Sequence, residues 1–164
     1  MAGSILQPEF LQKEAVENSV WFNGNRLSIL LDSPQTESVF TLIYCYLRKG
    51  GEPPVHFHRN HHETFYILEG EIRYHIGEKK FIAKDGDVAS IPKQIPHQFK
   101  LVSETAKAIL LITPSGLETF FKEFSIPAQS LELPPITDAK PALVFTNKMI
   151  IRAEELGIVW MPEF

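Results

Sequence analysis

The chain of 164 residues has little cysteine, no long apolar run and no cluster of positive charge. Its one cysteine, Cys45, excludes an internal disulfide framework and favours a reducing compartment, so we expect a cytoplasmic protein. The longest apolar run, residues 108–112, is far shorter than the roughly 20 residues that a membrane-spanning helix needs. The first 14 residues lack a basic start followed by an apolar stretch, which argues against a cleaved signal peptide.

The charge and composition narrow the class of protein further. The net charge is −4 and no basic run exceeds two residues, which argues against nucleic acid as the main partner. With 44% apolar and 22% charged residues, the chain has the composition of an ordinary globular protein. Its length suffices to bury a core without disulfides. We therefore expect a single domain over residues 1–164.

Short β-rich runs separated by glycine and proline dominate the first two thirds of the chain. This spacing of strands and turns predicts an all-β sandwich or barrel. The predicted strands cover residues 27–31, 39–47, 63–68, 71–76, 80–83, 88–91, 97–102 and 106–112. Helical periodicity begins only in a C-terminal extension over 114–164, with one helix within 114–124 and a second over 147–156, ended by Gly157. The apolar stripe of the second helix, which we expect to pack against the β domain, consists of Phe145, Met149, Ile150, Ala153 and Leu156.

All six histidines fall between positions 56 and 97. His56 and His58 lie on one face of an extended segment, because side chains alternate with a period of two. Glu63 and His97 each share a strand face with apolar side chains, where an unpaired ionisable group is costly. Convergence of these four side chains on one divalent cation removes that cost.

Three imidazole nitrogens and one carboxylate oxygen suit a first-row transition metal, and the ligand type alone does not choose among Fe, Mn, Co, Ni, Cu and Zn. An octahedral ion with four protein ligands keeps two coordination positions open. Open positions are what a centre that activates oxygen or substrate requires.

Two spaced patterns within residues 50–101, about a third of the chain, resemble the motifs of the cupin superfamily. The first reads Gly50-x5-His56-x-His58-x4-Glu63-x6-Gly70, and the second reads Gly86-x5-Pro92-x4-His97. The second pattern departs from the family at Gln94, where glycine is usual, and at Leu101, where asparagine is frequent. The resemblance implies a double-stranded β-helix (jelly-roll) barrel with the C-terminal helices packed outside.

The C-terminal half resembles single-cupin proteins related to quercetin dioxygenases, through segment 113–121, the proline-rich connector 127–141 and a helix that ends at Leu156. The string 63–70 is also typical of that group. The resemblance implies a metal-dependent dioxygenase that cleaves a flavonol or a related enol or phenol with O2, with Glu63 as both ligand and general base. The alternatives are a non-catalytic metal-binding cupin that holds a small ligand for sensing or storage, and another cupin enzyme such as an isomerase.

Candidates for the substrate pocket follow from the strand faces that carry the ligands. The five candidates are Phe65, Ile67, Phe99, Leu101 and Tyr44. The alternation does not identify the inward face of the run 39–47. Tyr44 is therefore a pocket candidate only if its face of the strand points inward. Cys45, in the same run, is expected to be a buried small hydrophobe. Because this run is apolar on both faces, its outer side needs a cover, either the C-terminal helices or a partner subunit, and the family resemblance implies a homodimer.

The other three histidines receive simpler interpretations. His62 directly precedes Glu63 and therefore points outward. His61 lies in the preceding loop and is expected to be solvated, with a role in orienting a ligand as the alternative. His75 shares a polar strand face and is expected to be exposed.

Overall fold

The computed structural model describes residues 13–136 and 146–162. In these ranges the chain forms two antiparallel sheets and two short helices. The strands are β1 (Ser19–Phe22), β2 (Asn25–Leu31), β3 (Thr41–Arg48), β4 (His56–His58), β5 (His62–Glu69), β6 (Ile72–Ile76), β7 (Lys79–Ala83), β8 (Val88–Ile91), β9 (His97–Leu101), β10 (Thr105–Thr113), β11 (Ile126–Pro127) and β12 (Ile158–Trp160). The helices are α1 (Glu118–Phe124) and α2 (Asn147–Glu155).

The first sheet has seven strands in the order β11-β1-β2-β3-β10-β5-β8, and the second has five in the order β12-β4-β9-β6-β7. Every second side chain of β3 and β10 is buried, as the period of two requires when one face of a strand lies on a core. The core lies between the sheets. Ile43 and Ile67 of the first sheet and Ile72 and Tyr74 of the second are fully buried there.

The all-β prediction is confirmed, and each of the eight predicted strands is present with its ends within two residues of the prediction. Four further strands, β1, β4, β11 and β12, were not predicted as strands. They are two to four residues long. A run this short does not complete enough alternations to be recognised from its sequence.

Both predicted helices are present, with shifted ends. Helix α1 begins at Glu118 rather than near residue 114, since Gly116, with φ +128°, interrupts the helical backbone. The side chain of Thr146 accepts a hydrogen bond from the Met149 backbone N–H and caps the start of α2. Gly157, with φ +79°, follows the end of α2, as predicted.

The apolar stripe of α2 packs on the core through fewer residues than expected. Met149 and Ala153 are buried in the core cluster and Leu156 is packed against it. Ile150 is 45% exposed, and Phe145 lies outside the described residues. The packing that the stripe predicted is therefore confined to a narrower face of the helix than expected.

Helix α2 packs against α1 and β12. On the outer face of the seven-stranded sheet, Tyr66 and Val88 are paired across β5 and β8 and are 45% and 60% exposed. A partner subunit over this face stays a prediction.

Among the helices of the described ranges, none has the length and apolarity needed to cross a bilayer.

Candidate metal centre

The four predicted metal ligands meet between the two sheets. His56 and His58 lie on β4, His97 begins the neighbouring strand β9, and Glu63 comes from β5 in the other sheet. His56 and His97 are direct cross-strand partners, with their ring centroids 4.3 Å apart. The candidate ligand atoms of all four residues lie within 4.8 Å of one another, and all four side chains are buried. The period of two on a short strand therefore brings both imidazoles of β4 to the same point.

Backbone carbonyls orient two of the imidazoles. The Nδ1 atom of His56 lies 2.9 Å from the carbonyl oxygen of Pro54, and that of His97 lies 2.9 Å from the carbonyl oxygen of Ile95. Because a carbonyl oxygen only accepts, each Nδ1 must carry the proton and donate it. In the neutral ring, Nε2 then keeps its lone pair, which is the form in which histidine binds a metal.

The polar atoms at the centre are left unsatisfied in a way that a cation would relieve. Nε2 of His58 and Nε2 of His97 lie 3.3 and 3.4 Å from the Glu63 carboxylate. Within the described residues neither of these buried nitrogens has a hydrogen-bond partner. Buried polar atoms without partners are rare and costly. The donor set therefore fits a first-row transition metal, held by His56, His58, Glu63 and His97.

The electrostatics of the site favour the protonation states that metal ligands need. Burial, and then the neighbouring His97 and His58 rings, lower the pKa of His56 to about 3, so this ring stays neutral at ordinary pH. Burial alone would raise the pKa of the Glu63 carboxyl, but His58 and His97 hold it well below its usual value. A neutral imidazole and an ionised carboxylate are the metal-binding forms of both side chains.

A cavity of about 100 Å³ opens beside the four ligands. Of the five predicted pocket residues, Phe65 and Phe99 line it, with their ring centroids 5.7 Å apart. Ile67 and Leu101 are buried in the core outside the cavity wall. They follow Phe65 and Phe99 on the same strand faces, but two residues farther from the ligands, which places them beyond the cavity.

Tyr44 differs most from its expected place. The odd-numbered residues of β3 face the core, and Cys45 and Leu47 line the cavity instead. Tyr44 lies on the outer face, where the Arg26 guanidinium is 5.4 Å from its ring centroid. A cation–π contact stabilises Tyr44 on the outside of the sheet. The buried face of β3 is the one that carries its odd-numbered side chains. Cys45 is buried, as predicted.

With this geometry the chain can be compared with known proteins. Residues 43–113 match the cupin domain family, over a range that contains all four ligands. The chain contains a cupin domain. The two antiparallel sheets are typical of the cupin jelly roll.

Three relatives show how far the likeness extends. Quercetin 2,3-dioxygenase of Bacillus subtilis is 21% identical over 142 residues, which are 87% of this chain and 41% of that protein. An uncharacterised protein of Aquifex aeolicus is 38% identical over 68 residues, 41% of this chain and 54% of that protein. The crystal structure of a predicted oxalate decarboxylase from Thermotoga maritima superposes with a TM-score of 0.57 at 18% identity, covering 64% of this chain and 99% of that one. The chain thus spans about half or less of these two curated relatives, and the structural likeness establishes the fold alone.

The departure at Gln94 from the second cupin motif has a structural explanation. Gln94 has φ +65°, a backbone conformation in which glycine avoids steric strain. Its backbone N–H donates a 2.7 Å hydrogen bond to the carbonyl oxygen of the ligand His58. The turn therefore keeps the shape that a glycine would adopt, although a larger residue occupies it.

Several walls of the cupin cavity were not predicted. They come from the β1–β2 hairpin, from α1 and from β12, and include Phe22, Asn23, Asn25, Phe120, Phe121, Ile158 and Trp160. The hairpin had a signal, since Asn23-Gly24 is a common two-residue turn and both residues have positive φ. Strand β12 had none, because only its pairing with β4 brings it to the site.

The three remaining histidines lie around the cupin site without joining it. His62 is exposed, as predicted, and His75 is half-buried rather than exposed. The expectation of a solvated His61 is wrong, because the side chain is buried with its ring centroid 6.4 Å from that of His58. Burial, and then His58, lower the pKa of His61. This placement agrees better with the alternative, a residue that supports the ligand shell.

Proposed function

We propose that this cupin is a metal-dependent dioxygenase of the quercetinase-like kind, which cleaves an enol- or phenol-bearing substrate with O2. The observation that carries the proposal is the buried set His56, His58, Glu63 and His97 at the floor of a largely apolar cavity. The similarity to quercetin 2,3-dioxygenase over 87% of the chain supports the same reaction type.

The four ligands leave room for the chemistry that this reaction needs. A divalent transition metal held by them would stabilise negative charge on a substrate oxygen at an open coordination position. Glu63 is the one carboxylate of the set, and its low pKa means that it is present in the ionised form, the form that can accept a proton. We assign it the role of taking the hydroxyl proton of the bound enol or phenol, provided that the hydroxyl lies within hydrogen-bond reach.

The side chains that line the cavity would favour the same proton transfer from the substrate hydroxyl. Phe65, Phe99 and Leu110 are apolar and line the space next to the ligands. They exclude water from the substrate oxygen and so strengthen every charge interaction at that point. Apolar walls also disfavour the sugar and polyol substrates that an isomerase would take, which ranks that alternative lower.

Oxygen uptake tests the proposal directly. Protein loaded separately with Fe, Mn, Co or Ni is mixed with flavonols and with catechols in an oxygen-electrode cell, and the products are identified by mass spectrometry. We expect uptake with at least one metal and loss of uptake in His97→Ala. Stoichiometric metal without uptake for any substrate would refute the dioxygenase. If a ligand then raised the melting temperature without product, the non-catalytic cupin would take its place.

A further inference from the structure

The cavity beside the metal ligands is small for the flavonol that the family resemblance suggests. Its volume is about 100 Å³. An engineered apolar cavity of about 150 Å³ holds one benzene molecule. Sites for ligands of drug size measure about 300–1,000 Å³. The space next to the ligands is therefore on the scale of one aromatic ring at most, and far below what the three rings of a flavonol need.

The chemistry of the walls selects the kind of ring. The part of the lining that is not metal ligand is mostly aromatic and aliphatic, with the Asn23 and Asn25 amides as its polar side chains. Asn25 is already engaged, since its amide N–H donates to the Gly51 carbonyl oxygen at 2.9 Å. Among the described residues of the lining, the side-chain oxygen of Asn23 is the amide atom left without a partner. An apolar ring with its polar atoms mainly on one edge suits such a cavity, because its other edges meet mostly apolar side chains.

Trp160 forms the wall immediately beside a metal ligand. Strand β12 pairs with β4 so that Trp160 is the direct cross-strand partner of His56, and the two ring centroids lie 5.2 Å apart. The indole is half-buried and belongs to the cavity lining. Phe22 and Phe121, also half-buried, line the cavity from the other sheet's hairpin and from α1. Half-buried aromatic rings at the edge of the cavity limit how far a bound molecule can extend.

From this size, lining and placement we propose that the cavity binds a single-ring aromatic diol, a catechol, with its ring against Trp160 and its two adjacent oxygens toward the metal ligands. Trp160 is the residue that excludes larger polycyclic phenols. The proposal rests on the proposed function for its metal, and it narrows the substrate class of the same site. Two adjacent oxygens match the two coordination positions that four protein ligands leave on an octahedral ion.

Tryptophan fluorescence can test this contact, because the chain has two tryptophans and only one lies at the cavity. Trp21 is not among the residues that line the cavity, and its indole N–H donates to the Glu132 carbonyl oxygen at 3.0 Å. Zinc-loaded protein is titrated with 4-nitrocatechol and, separately, with quercetin, and metal content is measured on the same samples. We expect 4-nitrocatechol to quench the emission of wild type and of Trp21→Phe more strongly than that of Trp160→Phe, because contact with the bound ring adds to energy transfer only at Trp160.

A second variant tests the exclusion of larger ligands. Trp160→Ala removes the wall, so we expect it to weaken 4-nitrocatechol binding about tenfold and to strengthen quercetin binding, while Trp160→Phe keeps the wild-type preference. Unchanged metal content and circular dichroism show that the variants are folded. Wild type that binds zinc but takes quercetin as tightly as 4-nitrocatechol would overturn the size selection and leave the proposed function standing. Protein that binds no zinc would overturn both.

Discussion

Replacing Glu118 by glutamine should remove a pH-dependent part of the folding stability. Glu118 is 3% exposed and begins α1. One carboxylate oxygen accepts from the Ser33 hydroxyl at 2.5 Å and the Ser33 N–H at 3.0 Å. The other accepts from the Thr41 hydroxyl at 2.7 Å and the Gly116 N–H at 2.6 Å. All four partners donate a hydrogen bond. In glutamine an NH2 group replaces one carboxylate oxygen, and this NH2 group, itself a donor, would point at two donors.

The magnitude follows from the pKa of the buried carboxyl. Burial by itself opposes ionisation, but the hydrogen bonds from Ser33, Thr41 and Gly116 outweigh it and lower the pKa of Glu118 from 4.5 to about 2. At about 1.4 kcal/mol per pH unit, this difference corresponds to about 3 kcal/mol of folding free energy. Because the folded pKa is depressed, this stability is fully present above pH 4.5 and is lost as the pH falls toward 2.

Urea unfolding of the metal-free protein from pH 7 to pH 3 measures this directly. We expect Glu118→Gln to be less stable than wild type by about 3 kcal/mol at pH 7 and by about 1 kcal/mol at pH 3, since most of the linkage is lost by then. Glu104→Gln is the control, because the Glu104 side chain is 89% exposed and its loss should leave the stability profile almost unchanged. A wild-type advantage over Glu118→Gln that stays constant across this pH range would refute the reasoning.

The other predictions concern metal, backbone strain and assembly. His97→Ala should lose the metal in elemental analysis while keeping its β circular dichroism, with exposed His62→Ala as the control that retains it; stoichiometric metal in His97→Ala would overturn the site assignment. Gln94→Gly should raise the free energy of unfolding measured in urea by up to about 1 kcal/mol, because it relieves a positive φ. Gly70→Ala should lower stability by more than about 2 kcal/mol in the same assay, since its Cβ would lie 2.7 Å from a backbone carbonyl oxygen at φ +92°. Light scattering should show a dimer that Val88→Lys weakens; a wild-type monomer would contradict that expectation.

The ligands of the site could be predicted because their geometry is local. On strand β4 the alternation of side chains alone places His56 and His58 together, and no distant contact is needed for that step. The same alternation identified Phe65 and Phe99 as cavity residues, since each lies two positions after a ligand. Local periodicity could not show how far along each strand the cavity extends, and Ile67 lies beyond its end.

Tyr44 shows where local periodicity has no preference. The run 39–47 is apolar on both faces, so burying either face would remove a similar amount of apolar surface from water. The choice depends on Arg26 of the neighbouring strand, whose guanidinium lies 5.4 and 5.8 Å from the ring centroids of Tyr44 and Tyr46. This cation favours the tyrosines on the outer face, and it lies on another strand, so the run itself does not reveal it.

Strand β12 shows why the walls of the site are harder to predict than its ligands. It pairs with β4 across about 100 residues of chain, and its register is held at both ends by backbone hydrogen bonds. The Arg59 N–H donates to the Gly157 carbonyl oxygen at 2.8 Å, and the Met161 N–H donates to the Val55 carbonyl oxygen at 2.9 Å. Because the entropy of closing a loop grows only slowly with its length, a few such bonds and one buried side chain suffice to hold a remote strand. The spacing of a cupin motif can therefore identify the candidate metal ligands, while the selectivity that we propose depends on residues such as Trp160 that only the fold brings to the site.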